Sequence, residues 1–285
     1  MKKAVLLAGL FILVGGIGWT QIINDIFDAI SYGTADDLRT MIEKGFDVNQ
    51  LNEEYGITPL QIAARDSDDP EKFRLLLNAG SKIDPVEYYN YDTPFELILK
   101  KDNIELVRLF IDAGADIHRV DKWGRTPLEY AAFYSSDPEI FRLLINRGAN
   151  VNRGGKGTPL HSVANSKPEN VVLLIELGAD VNARDTGGNT PLMCSVGSYE
   201  CVDVLLKAGA NINLQNKDGK TALIIAAQYG GDPRVITLLL QNGANAKFED
   251  NTGRTALDWF DLNKNLNRYH FDIFTQARKE LKDKT

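Results

Sequence analysis

The chain has 285 residues, 44% of them hydrophobic, 25% charged and 9% aromatic, with 39 acidic against 32 basic side chains and a net charge of −7. Length alone suggests roughly two globular domains, the apolar share excludes a disordered or low-complexity chain, and the acidic balance sets nucleic acid and anionic membranes aside as main partners. Two cysteines are too few for a disulfide scaffold, and His118, His161 and His270 lie too far apart in sequence for a Cys/His zinc cluster.

In chain order, Met1-Lys2-Lys3 gives a positive start, and Ala4 to Gly18 is a run with no charged or polar side chain. This is the layout of an export signal. As a helix the run reaches about 22 Å, short of the ~30 Å hydrocarbon core. Residues 1–20 are therefore expected to be a signal peptide, cleaved near Trp19 after the small residues Gly16 and Gly18, or an N-terminal membrane anchor through residues 4–18 if uncleaved. Lys2 and Lys3 hold the start on the cytoplasmic side. The remainder is then periplasmic or secreted if the signal is cut, and anchored facing the periplasm if it is not.

From residue 22 onward two landmarks recur. Thr-Pro-Leu or a near variant begins at Thr58, Thr93, Thr126, Thr158, Thr190, Thr221 and Thr255, with spacings of 31 to 35 residues. A glycine follows an apolar run at Gly45, Gly80, Gly114, Gly148, Gly178, Gly209 and Gly243, mostly as Gly-Ala-Asp/Asn-Ile/Val. Threonine is a good N-cap and proline in the next position starts a helix without losing a needed N–H, so each Thr-Pro opens a first helix. Asp69-Pro70, Asp137-Pro138 and Asp232-Pro233 open a second helix by the same logic, with Lys167-Pro168 supplying the proline in a fourth repeat. The second helix carries an apolar stripe such as Phe73, Leu75, Leu76 and Leu77, and the glycine after it closes the helix.

Helix, tight turn, helix, glycine stop and an extended finger at about 33 residues resembles the ankyrin repeat family. The fullest match runs from Gly124-Arg125-Thr126-Pro127-Leu128 to Gly148-Ala149-Asn150-Val151-Asn152. The resemblance implies an all-α repeat solenoid of helix-turn-helix units with β-hairpin fingers. It covers residues 22–285 as approximately 22–52, 53–87, 88–120, 121–154, 155–184, 185–215 and 216–249, with a C-terminal cap over 250–285. The fingers and hairpins around Thr158 and Thr190 are trimmed, so residues 153–205 are expected to be the weakest seam of one continuous array.

No catalytic motif stands out, and no cofactor or metal is expected. Gly219-Lys220-Thr221 lacks the earlier glycine of a phosphate loop, since position 214 is Leu. Gly154-Gly155-Lys156-Gly157 reads as a shortened finger, Asp66, Asp68 and Asp69 as capping and solvated groups, and His161 as a structural histidine. Cys194 and Cys201 fall on the two helices of one trimmed hairpin, where either two free thiols or, after export, a disulfide is open.

What remains is a surface. By the family's fold the finger tips and the ends of the first helices line one concave face, which assigns partner binding to Tyr55, Tyr88, Tyr89, Tyr91, Lys122, Trp123, Phe133, Tyr134 and Tyr229. Exposed aromatic rings suit an interface. Lys122, Arg125, Lys156, Lys217, Lys220 and Arg254 make the fingers basic on an acidic chain, which points to an acidic protein partner and not to nucleic acid. Similarity to exported bacterial ankyrin proteins that resemble immunity factors implies a non-catalytic binder that inhibits or shields an envelope enzyme or toxin. A membrane-tethered structural spacer is the alternative.

Overall fold

A computed structural model of the protein describes residues 11–13, 19–21, 25–52, 56–84, 92–263 and 271–285. Tyr55, Tyr88, Tyr89 and Tyr91 lie outside the described residues, as does most of the 1–20 segment. Within that segment Phe11–Leu13 (β1) and Trp19–Gln21 (β2) pair antiparallel, with Ile12 opposite Thr20. Among the described residues no helix is long and apolar enough to cross a membrane.

The rest is mostly helical and is described as two compact units, residues 1–116 and 117–285. The first unit holds three helix pairs: Ile26–Ser31 (α1) with Ala35–Glu43 (α2), Pro59–Asp66 (α3) with Pro70–Asn78 (α4), and Pro94–Leu99 (α5) with Ile104–Asp112 (α6). The second holds Pro127–Tyr134 (α7) with Pro138–Asn146 (α8), Pro159–Val163 (α9) with Pro168–Glu176 (α10), Pro191–Cys194 (α11) with Tyr199–Lys207 (α12), and Ala222–Tyr229 (α13) with Pro233–Gln241 (α14). Ala256–Leu262 (α15) and Phe271–Lys284 (α16) close it. Within each unit odd-numbered inner helices pack on inner helices and even-numbered outer helices on outer ones.

The caps form as the residues dictate. Thr126 accepts a hydrogen bond from the Glu129 N–H while Glu129 accepts one from the Thr126 N–H at 2.8 Å, closing a reciprocal box that saturates two orphan donors. The same box recurs at Thr58 with Gln61, Thr93 with Glu96 and Thr255 with Asp258. Asp69, Asp137 and Asp232 cap the outer helices α4, α8 and α14. The glycine stop is needed for its backbone: Gly148 has φ 101°, a left-handed angle that a side chain disfavours.

Each unit has its own apolar core. In the first, Phe73 and Phe95 flank Phe110 at ring-centroid distances of 5.6 and 6.3 Å, all three fully buried. In the second, Tyr130, Phe141, Leu144, Leu174, Leu205, Leu239 and Phe260 are buried. Each such side chain contributes about 1.5–3 kcal/mol relative to exposure.

Polar groups join neighbouring repeats where apolar packing cannot. Lys72 Nζ donates to the Ile30 and Gly33 carbonyls, both at 2.7 Å. Asn170 Nδ2 donates to Ala132 and Ser135, and Asn263 Nδ2 to Ala227 and Gly230, the same two positions at the end of an inner helix. Along the turns after the outer helices, Asn49, Asn152 and Asn213 each donate to the glycine carbonyl of the next repeat and accept a backbone N–H from it.

The fingers differ from the expected β-hairpins: among the described residues they contain no strand. In the finger before α7, Asp121 Oδ1 accepts the N–H groups of Trp123 and Arg125, both at 2.8 Å, and two backbone bonds, Asp121 N–H to the Arg125 carbonyl and Gly124 N–H to the Asp121 carbonyl, close the loop. Asp185, Asn216 and Asp250 do the same in later fingers. A side-chain oxygen at the centre takes the donors that a strand ladder would use.

Candidate functional site

The second unit carries a groove between its fingers and inner helices. A hollow of about 440 Å³ is lined by Trp123, Arg125, Glu129, Lys156, His161 and Asp185, among others. A smaller one of about 160 Å³ adjoins it, walled by Tyr130, Phe133 and Tyr134. The two share Arg125, Glu129 and Ser162.

Beside the groove the backbone approaches too closely for side chains. A Cβ on Gly155 would stand 2.5 Å from the Gly124 carbonyl, and one on Gly154 would meet the Gly157 carbonyl oxygen at 2.1 Å. The glycine-rich stretch is therefore a packing requirement.

Trp123 stands at the finger tip, 49% exposed, between the Lys122 ammonium at 4.2 Å and the Arg125 guanidinium at 4.5 Å from its ring centroid. Arg125 is itself fixed: Nε donates to Asp121 at 2.7 Å, the guanidinium donates to the Tyr130 hydroxyl at 2.6 Å, and its plane lies 4.5 Å over the Tyr130 ring. Burial would raise the Asp121 carboxyl, but hydrogen bonds from Arg125 and Trp123 outweigh it and hold the group below the usual carboxylate range. At the end of α7, Phe133 is 53% exposed and Tyr134 38%, packed edge to face at 5.0 Å.

The floor is polar but satisfied. Burial pushes the Glu129 carboxyl up, against the Thr126 and Gly155 N–H groups that favour its charge. His161 Nδ1 accepts the Thr158 N–H at 3.1 Å, so Nε2 carries the proton and donates to the Asn189 carbonyl at 3.1 Å. Burial lowers the imidazole, and the neutral ring thus closes a cap and ties two repeats together. Asp185 accepts from Gly187, from the Asn189 N–H and from Asn189 Nδ2.

The structure thus brings Trp123, Phe133 and Tyr134 to one groove, with Lys122 beside the Trp123 ring. Tyr229 does not line it. Its ring, 65% exposed at the end of α13, stands 5.4 Å from the Lys220 ammonium. The basic fingers are less available than their count suggests. Lys220 donates to Gln228, Lys217 to the Thr186 carbonyl and Arg254 to Thr252. Lys156 is exposed, and among the described residues no hydrogen bond or ion pair holds its ammonium. Sequence reasoning missed Ser162 and Tyr130, the one a small polar residue and the other a buried ring whose signal looks like core.

The remaining candidates resolve locally. Asp66 pairs with Arg65, Asp68 with Lys101, and Asp69 caps α4. Gly219 is a finger glycine and Thr221 caps α13. Cys194 and Cys201 are free thiols. Burial and the nearby Asp185 push Cys194 up to about 11, and burial raises Cys201 as well. Among the described residues no three His, Cys, Asp or Glu side chains are grouped to hold a metal ion.

No curated protein matches the chain. The family model described as ankyrin repeats in three copies matches residues 67–155, 153–216 and 197–265, without interruption from 67 to 265. With the capped helix pairs, the glycine stops and the finger turns, these matches make the chain a member of the ankyrin repeat family, whose repeats generally mediate protein–protein interactions.

Proposed function

We propose that the protein is a non-catalytic binding module and that its partner protein docks in the groove of the second unit. The observation that carries this is the meeting of half-exposed Trp123, Phe133 and Tyr134 with the Lys122 and Lys156 cations around two adjoining hollows. Aromatic anchors beside an open cavity, with a charged rim, are what an interface hot spot needs. The basic rim on a chain of net charge −7 favours a partner with an acidic surface.

The setting follows from the first eighteen residues. The positive start and the apolar run support export, and a partner in the cell envelope or outside the cell, such as an envelope enzyme or toxin to be inhibited or shielded, fits that setting. Determining the N-terminus of the protein recovered from its native cells tests this: a mature chain beginning near Trp19, or an anchored chain facing outward, supports it, and a cytosolic chain with Met1 intact rejects it.

Capture of the partner by the wild type and by the double variant W123A/F133A tests the binding face. Both side chains are half exposed, so the urea midpoint should hold while capture falls at least ten-fold, about 1.4 kcal/mol or more. Equal capture by both proteins rejects the groove.

A further inference from the structure

The two halves of the groove differ in chemistry, and the difference specifies an occupant. The smaller hollow is a cup of rings: Tyr130 and Tyr134 stack at 6.1 Å, and Phe133 meets Tyr134 at 5.0 Å. At about 160 Å³ it has the size of one large side chain. The larger hollow is bordered mainly by polar and charged side chains, and nearly all of their polar atoms are committed. Glu129 accepts from Thr126 and Gly155, Asp185 from Gly187 and Asn189, and both His161 nitrogens are bonded. Arg125 is locked to Asp121 and Tyr130, and contributes a fixed positive field.

Two groups stand outside that network. Lys156 extends from the shortened finger, exposed, its ammonium with no partner among the described residues. The hydroxyl of Ser162, half-buried on the wall common to both hollows, makes no hydrogen bond there either. An ammonium and a hydroxyl on one side, and an apolar cup on the other, remain to be satisfied from outside. A carboxylate bound by a cation and a hydroxyl makes charge-assisted bonds that are stronger where the wall excludes water. The two acidic groups in the wall, Glu129 and Asp185, face the Arg125 and Lys156 cations that line the same hollow. A nucleic-acid backbone would also present anions, but the net charge of −7 repels a polyanion.

We propose that the groove takes an extended segment of the partner protein in which an Asp or Glu is followed or preceded closely by a large apolar side chain. The carboxylate sits between Lys156 and the Ser162 hydroxyl, and the apolar side chain fills the cup of Tyr130, Phe133 and Tyr134. This rests on the reading of the groove as the binding face, and adds to it which chemistry the face selects.

Random twelve-residue peptides displayed on phage and selected on the full chain test the idea. The enriched sequences are expected to pair an acidic residue with Phe, Trp, Tyr or Leu within a few positions. A fluorescein-labelled peptide of the leading sequence should bind K156A about ten-fold more weakly than wild type, and F133A at least as weakly. Replacing its Asp or Glu by the amide should remove the difference between wild type and K156A, the signature of a direct pair. If the selected peptides lack acidic residues, or bind K156A as tightly as wild type while losing W123A, the carboxylate site is overturned and the groove stands. If they bind W123A, F133A and K156A all as tightly as wild type, or if no binder is selected, both readings fall.

Discussion

A buried amide helps join the repeats at 121–154 and 155–184, and its removal has a size that can be worked out. Asn170, the third residue of α10, is 1% exposed, and its Nδ2 reaches the Ala132 carbonyl at 3.0 Å and the Ser135 carbonyl at 2.8 Å. In N170A both bonds are lost, each worth about 1 kcal/mol net, and two carbonyls in a buried seam lose a donor. Lys167 still donates to Ser135 at 3.1 Å and limits the damage, so the expected loss is about 2–3 kcal/mol. Urea unfolding followed by circular dichroism should show the midpoint falling by about 1 M. The neighbouring exposed Glu169 serves as control, and E169A should change stability by less than about 0.5 kcal/mol. A midpoint in N170A that matches E169A would refute the idea that polar groups at this position hold the repeats together.

Three further outcomes follow from the same geometry. Because burial depresses the His161 imidazole, its contribution to stability is complete above the ordinary imidazole range and is lost as pH falls through it, since protonating Nδ1 breaks the bond from Thr158. Gln61 fills the same role in an earlier repeat, so H161Q should keep the neutral-pH stability and show a smaller fall between pH 7.5 and 5.5; equal falls refute the assignment. Hydrogen exchange should open residues 153–205 before the rest of the second unit, as expected of two successive short inner helices, of five residues in α9 and four in α11; uniform protection contradicts this. Cys194 and Cys201 should react slowly in the native protein and count as two thiols after denaturation without reductant, and a count of zero would establish the disulfide that export permits.

What could be read from the sequence is what local chemistry decides. Thr58-Pro59, Asp137-Pro138 and Gly148 each specify a helix boundary within four residues, and the structure places a boundary at each of them. The contacts that join the ends of inner helices to the next repeat were not legible, because they link positions 33 to 42 residues apart through side chains of different type. Lys72 and Asn170 are each the third residue of an outer helix, yet differ in type, and Asn263, just after α15, reaches the equivalent pair of carbonyls. Gly155 looked like loop composition, and only the 2.5 Å approach to the Gly124 carbonyl shows why no other residue fits. The candidate face was half legible. Trp123, Phe133 and Tyr134 were visible as aromatic residues at tip and helix-end positions, but the commitment of Arg125 to Asp121 and Tyr130, and the open state of Lys156, needed coordinates.

The central claim is that this groove, and not the outer helices, receives the partner. A photoreactive residue placed at Phe133 in the protein within its native cells tests it, with the same residue at Val172, exposed on outer helix α10, as the comparison. A discrete adduct is expected from position 133 and none from position 172. The same adduct from position 172, with position 133 silent, would contradict it.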